Sequence, residues 1–176
     1  LNDAYINAGE LWIGTDKGVS GIVDGRWLTT SYDDWYIDGF FEFFPVTTMA
    51  STPGGDSLFV ATQGAGVGRF YANEVDGITG ASTYAEWGPC VLPSDNVYSI
   101  CVIGDTQWYG TDKGLARHDG HEYGEGWTAY TTKEGLVDNF VQAIAMDAEG
   151  KLWVGTRGGI SVLDGSVWTS YTTGEG

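Results

Sequence analysis

Short apolar runs, each closed by a turn that carries glycine, succeed one another along the whole chain, and no stretch sustains the three-and-four spacing of an amphipathic helix. Between Gly150 and Gly176 the pattern is clearest. Leu152, Trp153 and Val154 lead into a Gly-Thr step and a glycine turn; Ile160, Val162 and Leu163 follow; Asp164-Gly165 then precedes a third run with Trp168 and Tyr171. Asp-Gly and Gly-Gly between β-branched or aromatic runs predict hairpins, because the tight turns that suit strand twist need positive φ at their central residues. The stretch reads as three strands joined by two tight turns.

The same unit occurs three more times, at Leu11 to Tyr32, Leu58 to Tyr71 and Gln107 to Thr132. Its anchoring aromatics are Trp12, Phe59, Trp108 and Trp153, separated by 47, 49 and 45 residues. That period is one supersecondary unit of a repeat array. A further apolar run precedes each unit, at Leu92 to Ile103 and Leu136 to Met146 for the last two, which makes four strands per unit. The expected fold is all-β: a four-bladed β-propeller with four antiparallel strands per blade in one domain of residues 1–176, the blades near 1–35, 36–89, 90–133 and 134–176. The first strand of the first blade is shortened. In the second unit the first strand is placed over Phe41 to Ser51, a swollen loop over Tyr71 to Gly80, and the last strand over Ser82 to Trp87. Neither end has an evident strand to lend to the other. The ring is therefore expected to close by side-chain packing between blades, or with help from a neighbouring copy.

These units resemble the two-component regulator propeller repeat. The residues that carry the likeness are Asp147 to Thr156 (Asp-x-x-Gly-x-Leu-Trp-x-Gly-Thr), the Gly-Gly-Ile turn, and the Asp-Gly, Trp and Tyr-Thr ending, with weaker lead-ins at Ser94-Asp95-Asn96 and Val137-Asp138-Asn139. The match is strong in units one, three and four and loose in unit two. What the resemblance implies is a β-propeller outside the cytoplasm, of the kind found in sensors that respond to carbohydrates or other environmental ligands, with no catalysis by the propeller itself. The membrane segment and kinase modules of such sensors have no counterpart in these residues.

Composition changes the picture in three places. Twenty-four acidic against 8 basic residues, a net charge of −16, argue against nucleic acid as a partner, since phosphate binding needs clustered Lys and Arg. No apolar run is long enough for a membrane span. The two cysteines, Cys90 and Cys101, flank the junction of the second and third units. They can be bonded only if their Cα atoms come within about 7 Å, and a bond would mean an oxidising compartment; two buried thiols are the alternative.

Candidate chemistry is sparse. Asp33, Asp34, Asp38 and Glu42 form the densest acidic cluster, and carboxylates beside a glycine turn suit Ca²⁺, with Asp33, Asp34 and Asp38 as the metal-ligand candidates. The spacing departs from the helix-loop-helix calcium loop, and a solvated connector is the plainer reading. His118 and His121 sit beside an Asp-Gly turn with no third ligand in register, which favours turn histidines over a metal pair. Gly64, Gly66 and Gly68 imitate a phosphate loop, but no helix follows to aim at a phosphate. No Gly-x-Ser-x-Gly elbow is present, and no spacing selects a catalytic carboxylate pair.

The outermost strands are rich in aromatics and threonine and carry little charge, whereas exposed edges are normally blunted by Lys, Pro or bulges. Trp27, Tyr32, Trp87, Trp127, Tyr130, Trp168 and Tyr171 are accordingly the candidate interaction residues. The leading expectation is a non-catalytic, extracellular or cell-surface module, or a periplasmic one, that self-associates as a homo-oligomer or polymer in a fibre or layer. A carbohydrate-type sensor propeller is the alternative, with Trp and Tyr near the channel stacking on a sugar ring and Tyr71 to Gly80 tuning specificity. A propeller-fold lyase or glycosidase is the third reading.

Overall fold

The computed structural model describes residues 1–7, 9–23, 26–29, 44–71, 74–78, 92–120 and 126–172. Among them there is no helix. Sixteen strands make four sheets of four, each a meander in chain order with antiparallel neighbours. The first sheet holds β1 (Asp3–Asn7), β2 (Glu10–Thr15), β3 (Gly18–Val23) and β4 (Arg26–Thr29). The second holds β5 (Val46–Ser51), β6 (Ser57–Thr62), β7 (Val67–Tyr71) and β8 (Glu74–Ile78). The third holds β9 (Val97–Ile103), β10 (Thr106–Thr111), β11 (Gly114–His118) and β12 (Trp127–Tyr130). The fourth holds β13 (Val141–Met146), β14 (Leu152–Thr156), β15 (Gly159–Asp164) and β16 (Val167–Thr172).

One placement corrects the sequence reading. The last strand of the second sheet is β8, which pairs with β7 from Tyr71↔Glu74 to Val67↔Ile78. It lies inside the stretch expected to be a swollen loop. The physical reason is that backbone pairing to β7 outweighs the turn-like composition of Asp76-Gly77. Residues 82–87, where that strand was expected, lie outside the described residues. Likewise β5 begins at Val46, directly after Pro45, which has no N–H to give to a ladder.

The Gly-Thr step explains itself in the turns between second and third strands. Thr111 Oγ1 donates to Gly114 O at 2.8 Å and accepts from Lys113 N at 3.1 Å. Thr15 does the same with Gly18 and Lys17, and Thr156 with Gly159 and Gly158. Thr62 reaches Gly66 and Ala65 in the same way across a turn one residue longer. Each threonine thus satisfies two turn groups that the ladder cannot, while the glycine at its far end adopts φ of 107°, 147° or 141° at Gly18, Gly114 and Gly159.

The core consists of three layers between consecutive sheets. The second strands of the two middle sheets, β6 and β10, are buried on both faces, so their alternate residues serve different layers. Trp12 with Val19 on the first sheet packs against Val46, Met49, Leu58 and Val60 on the second. On the other face of the second sheet, Phe59, Ala61 and Val67 meet Leu92, Val97 and Tyr109, with Ala116 in the same layer. Trp108 and Leu115 meet Val141, Leu152 and Val154. Burying one such aliphatic or Phe side chain contributes about 1.5–3 kcal/mol, which makes these layers the main support of the row.

Packing between sheets runs first to second, second to third and third to fourth through their inner strands β1, β5, β9 and β13. Among the described residues no comparable packing joins the first sheet to the fourth. The ring closure expected from side-chain packing is therefore not made among the described residues: their four sheets form an open row, and its two end faces keep apolar side chains exposed, Leu1 and Ile6 at one end, Trp153, Ile160, Val167 and Tyr171 at the other.

Candidate functional site

The inner strands β5, β9 and β13 each contain a bulge near their start. Register slips between Val46 and Thr48, Val97 and Ser99, and Val141 and Ala143, so Thr47, Tyr98 and Gln142 each stand as an extra residue. A bulge bends the strand and re-aims one side chain. Here the re-aimed residue bridges to the next sheet. Thr47 Oγ1 donates to Val97 O at 2.5 Å, and the Tyr98 ring lies 4.8 Å from the Phe140 ring, tilted by 37°.

At this mouth, where inner strands begin and the turns after β6, β10 and β14 end, side chains of three sheets meet in one row. Gln63 Nε2 donates to Tyr98 Oη at 3.2 Å. Tyr98 packs on Phe140, and the Arg157 guanidinium lies 3.6 Å from the centre of the Phe140 ring. Gln63 and Arg157 are exposed; Tyr98 and Phe140 are half-buried. Around the row the lead-in segments are pinned to the turns: Asn96 Nδ2 donates to Asp112 Oδ2 at 3.0 Å, and Arg157 N donates to Phe140 O at 3.1 Å. The isolated bridge Gln63↔Asn96 ties the second sheet to the third at the same place. The result is a fixed aromatic shelf with an amide at one end and a guanidinium at the other. Aromatic carbon flanked by such donors is the surface that sugar rings and other flat polar ligands stack on.

A second concavity lies at the opposite end of the strands, between the third and fourth sheets. It encloses about 280 Å³ and is lined in part by Trp108, Arg117, Tyr130, Met146, Leu152 and Leu163. Arg117 is engaged there, paired with Asp119 at 2.7 Å and held over the Trp108 ring at 5.7 Å. The space is at the small end for a ligand pocket, and its aromatic walls already contact each other, with Trp108 and Tyr130 centroids 5.8 Å apart.

The residues singled out from sequence are distributed as follows. Asp33, Asp34 and Asp38 lie outside the described residues, as do Tyr32, Trp87, Cys90 and His121; of Trp27 only the backbone, in β4, is described. Trp127 and Tyr130 on β12 turn inward: Trp127 stacks on Tyr109 at 5.6 Å and His118 at 4.5 Å, and Tyr130 meets Trp108 and Trp168. Trp168 packs in the layer between third and fourth sheets, and Tyr171 is exposed on β16. Cys101 carries a free thiol facing the fourth sheet, and burial pushes its pKa up despite a hydrogen bond with the Met146 backbone. His118 is half-buried in β11, its Nδ1 2.7 Å from Gln107 Oε1. No group of three or more His, Cys, Asp or Glu that could hold a metal is found among the described residues. Among the described residues there is no helix long and apolar enough to cross a membrane.

Sequence reasoning missed the shelf because it read the run before β10 as simple alternation. The signal was there: Val46 and Met49, Val97 and Ile100, Val141 and Ile144 stand three apart yet share a layer, which only a bulge allows.

Comparison with known proteins supports the repeat. Residues 135–158 match the family described as "Two component regulator propeller". No curated protein matches the chain. Among solved structures, the chain is similar to the extracellular domain of a protein described as a hybrid two component system, BT3049 of B. thetaiotaomicron, at 22% identity and TM-score 0.71, covering 97% of this chain and 23% of that one. It is also similar to the extracellular domain of BT4673 from the same organism, at 18% identity and TM-score 0.71, covering 97% of this chain and 21% of that one. PorZ, a surface component of the type-IX secretion system of Porphyromonas gingivalis, matches at 12% identity and TM-score 0.61, covering 97% of this chain and 22% of that one. The chain thus spans about a fifth of the length of these three structures.

Proposed function

We propose that this chain, which carries the two-component regulator propeller repeat, is an extracytoplasmic, non-catalytic recognition module of the sensor kind, and that its inner-strand mouth takes a carbohydrate-type ligand. The observation that carries this reading is the row Gln63, Tyr98, Phe140 and Arg157: it draws on three consecutive sheets and is held by a bulge. Rigid sheets placing an aromatic and two polar groups at a shared mouth favour ligand recognition. The likeness to extracellular domains of proteins described as hybrid two component systems supports the location and the sensor role.

A glycan panel read by isothermal titration tests it. A saccharide should bind to the wild-type chain, and Gln63→Ala or Arg157→Ala, both at exposed side chains, should weaken that binding about tenfold or more while leaving the melting temperature nearly unchanged. A panel that gives no binding at millimolar concentration, or binding that both variants leave intact, refutes the assignment.

A further inference from the structure

The two end faces of the row are the two halves of a junction that recurs three times inside it. In each internal junction the following sheet offers a valine at the start of its inner strand, and Val46, Val97 and Val141 are all fully buried. The preceding sheet offers a small residue in its second strand, Gly14, Ala61 or Gly110, with an aromatic beside it at Trp12, Phe59 or Trp108 and an aliphatic at Val19, Val67 or Leu115. The fit is close. A Cβ added at Gly14 would collide with Val46, and one at Gly110 would stand 2.5 Å from Val141 Cγ1.

The fourth sheet carries the preceding half complete and unfilled. Gly155 holds the seat position, and the nearest atom to a Cβ there is Ala143 Cβ at 3.6 Å. A strand-interior glycine weakens a strand unless another surface approaches it closely; at Gly155 no residue of another sheet among those described does. Trp153, at the anchor position, is 40% exposed and Ile160, the counterpart of Val19, Val67 and Leu115, is 43% exposed.

The first sheet carries the following half. Tyr5 pairs with the anchor Trp12 as Ala50, Cys101 and Ala145 pair with theirs. Counting back four residues from each reaches Leu1, Val46, Val97 and Val141. Leu1 therefore stands at the valine position, and it is 84% exposed. Asn2, at the bulge position, confirms the alignment: its Nδ2 donates to Val46 O at 3.0 Å, as Thr47 Oγ1 does to Val97 O. Ile6, on the same end, is 72% exposed.

We propose that these faces dock on each other between two copies of this chain, the first sheet of one copy seating on the fourth sheet of the next with Leu1 over Gly155. The contact is heterologous, head to tail. Two copies joined at both ends place eight sheets in one continuous stack. The contact continues the stacking already present in the row, so no new kind of interface is needed.

The test is sedimentation velocity and native mass spectrometry of the full chain over a hundredfold concentration range, with Trp153→Arg and Ile6→Asp as single-face variants. Both sites are exposed, and unchanged melting temperatures at low concentration confirm folding. The wild type should form a two-chain species; each variant alone should lose at least tenfold in association. Mixing the two should restore a two-chain complex, because one supplies an intact first sheet and the other an intact fourth. As a second readout, Leu1→Cys and Gly155→Cys chains mixed under oxidising conditions should give a mixed disulfide. A monomeric wild type throughout the range overturns the proposal. So does association that survives Ile6→Asp while Trp153→Arg abolishes it, since that pattern means fourth sheet on fourth sheet.

Discussion

The same substitution at two equivalent glycines should act with opposite sign. At Gly110 a methyl group would meet Val141 Cγ1 at 2.5 Å, and Ser99 Oγ crowds the same point; both belong to inner strands fixed in their ladders. Overpacking of this kind costs about 1–3 kcal/mol, against which the lower backbone entropy of alanine returns only about 0.5–1 kcal/mol. Gly110→Ala should therefore destabilise by about 1–2 kcal/mol and lower the melting temperature by about 2–8 °C for a domain of this size. At Gly155 the nearest atom is 3.6 Å away, an ordinary contact, so only the favourable term remains. Gly155→Ala should raise the melting temperature by about 1–4 °C. Differential scanning fluorimetry on dilute protein, where copies are apart, reads both. Equal destabilisation by the two variants would mean that another surface already covers Gly155 in the single chain, and the open row would be wrong.

Other consequences follow from single contacts. Thr111→Val removes a buried hydroxyl that serves Gly114 O and Lys113 N, and should cost about 1–2 kcal/mol in urea unfolding, more than the same change at half-buried Thr156. Asp147 is held below the usual aspartate range, first by the Trp153 indole N–H at 2.8 Å and then by the Lys151 backbone N–H. Its folded pKa lies below the unfolded one, so its stabilisation is present above about pH 4 and is lost as pH falls through the folded pKa. Carboxyl carbon NMR titration should show the depressed value, and Trp153→Phe should move it up; a titration unchanged by that variant would remove the indole as the cause.

Legibility of the fold followed how local its causes are. The repeat and the hairpins could be read because a turn declares itself in four residues: Thr111 to Gly114 pins its own loop. The strand β8 could not, since what holds Glu74–Ile78 is pairing with β7 rather than its own composition. For the outer-strand aromatics Trp127, Tyr130 and Trp168 the direction was not legible, because a period of two leaves open which face meets a neighbour. Tyr98 was read as one step of an alternating run; only the slip between Val97 and Ser99 sends it to Phe140. The open row was beyond reach for another reason. A period reports the unit and the number of units, whereas closure depends on how far each pair of sheets turns about the axis.

Hydroxyl-radical footprinting of dilute chain tests the open row most directly. Trp153 and Trp108 hold the same position in successive sheets, one on an end face and one in the layer behind it. The account predicts rapid oxidation of Trp153 and Ile160 with Trp108 and Leu115 protected. Equal protection of Trp153 and Trp108 in the monomer would contradict it and mean that the first and fourth sheets close on each other.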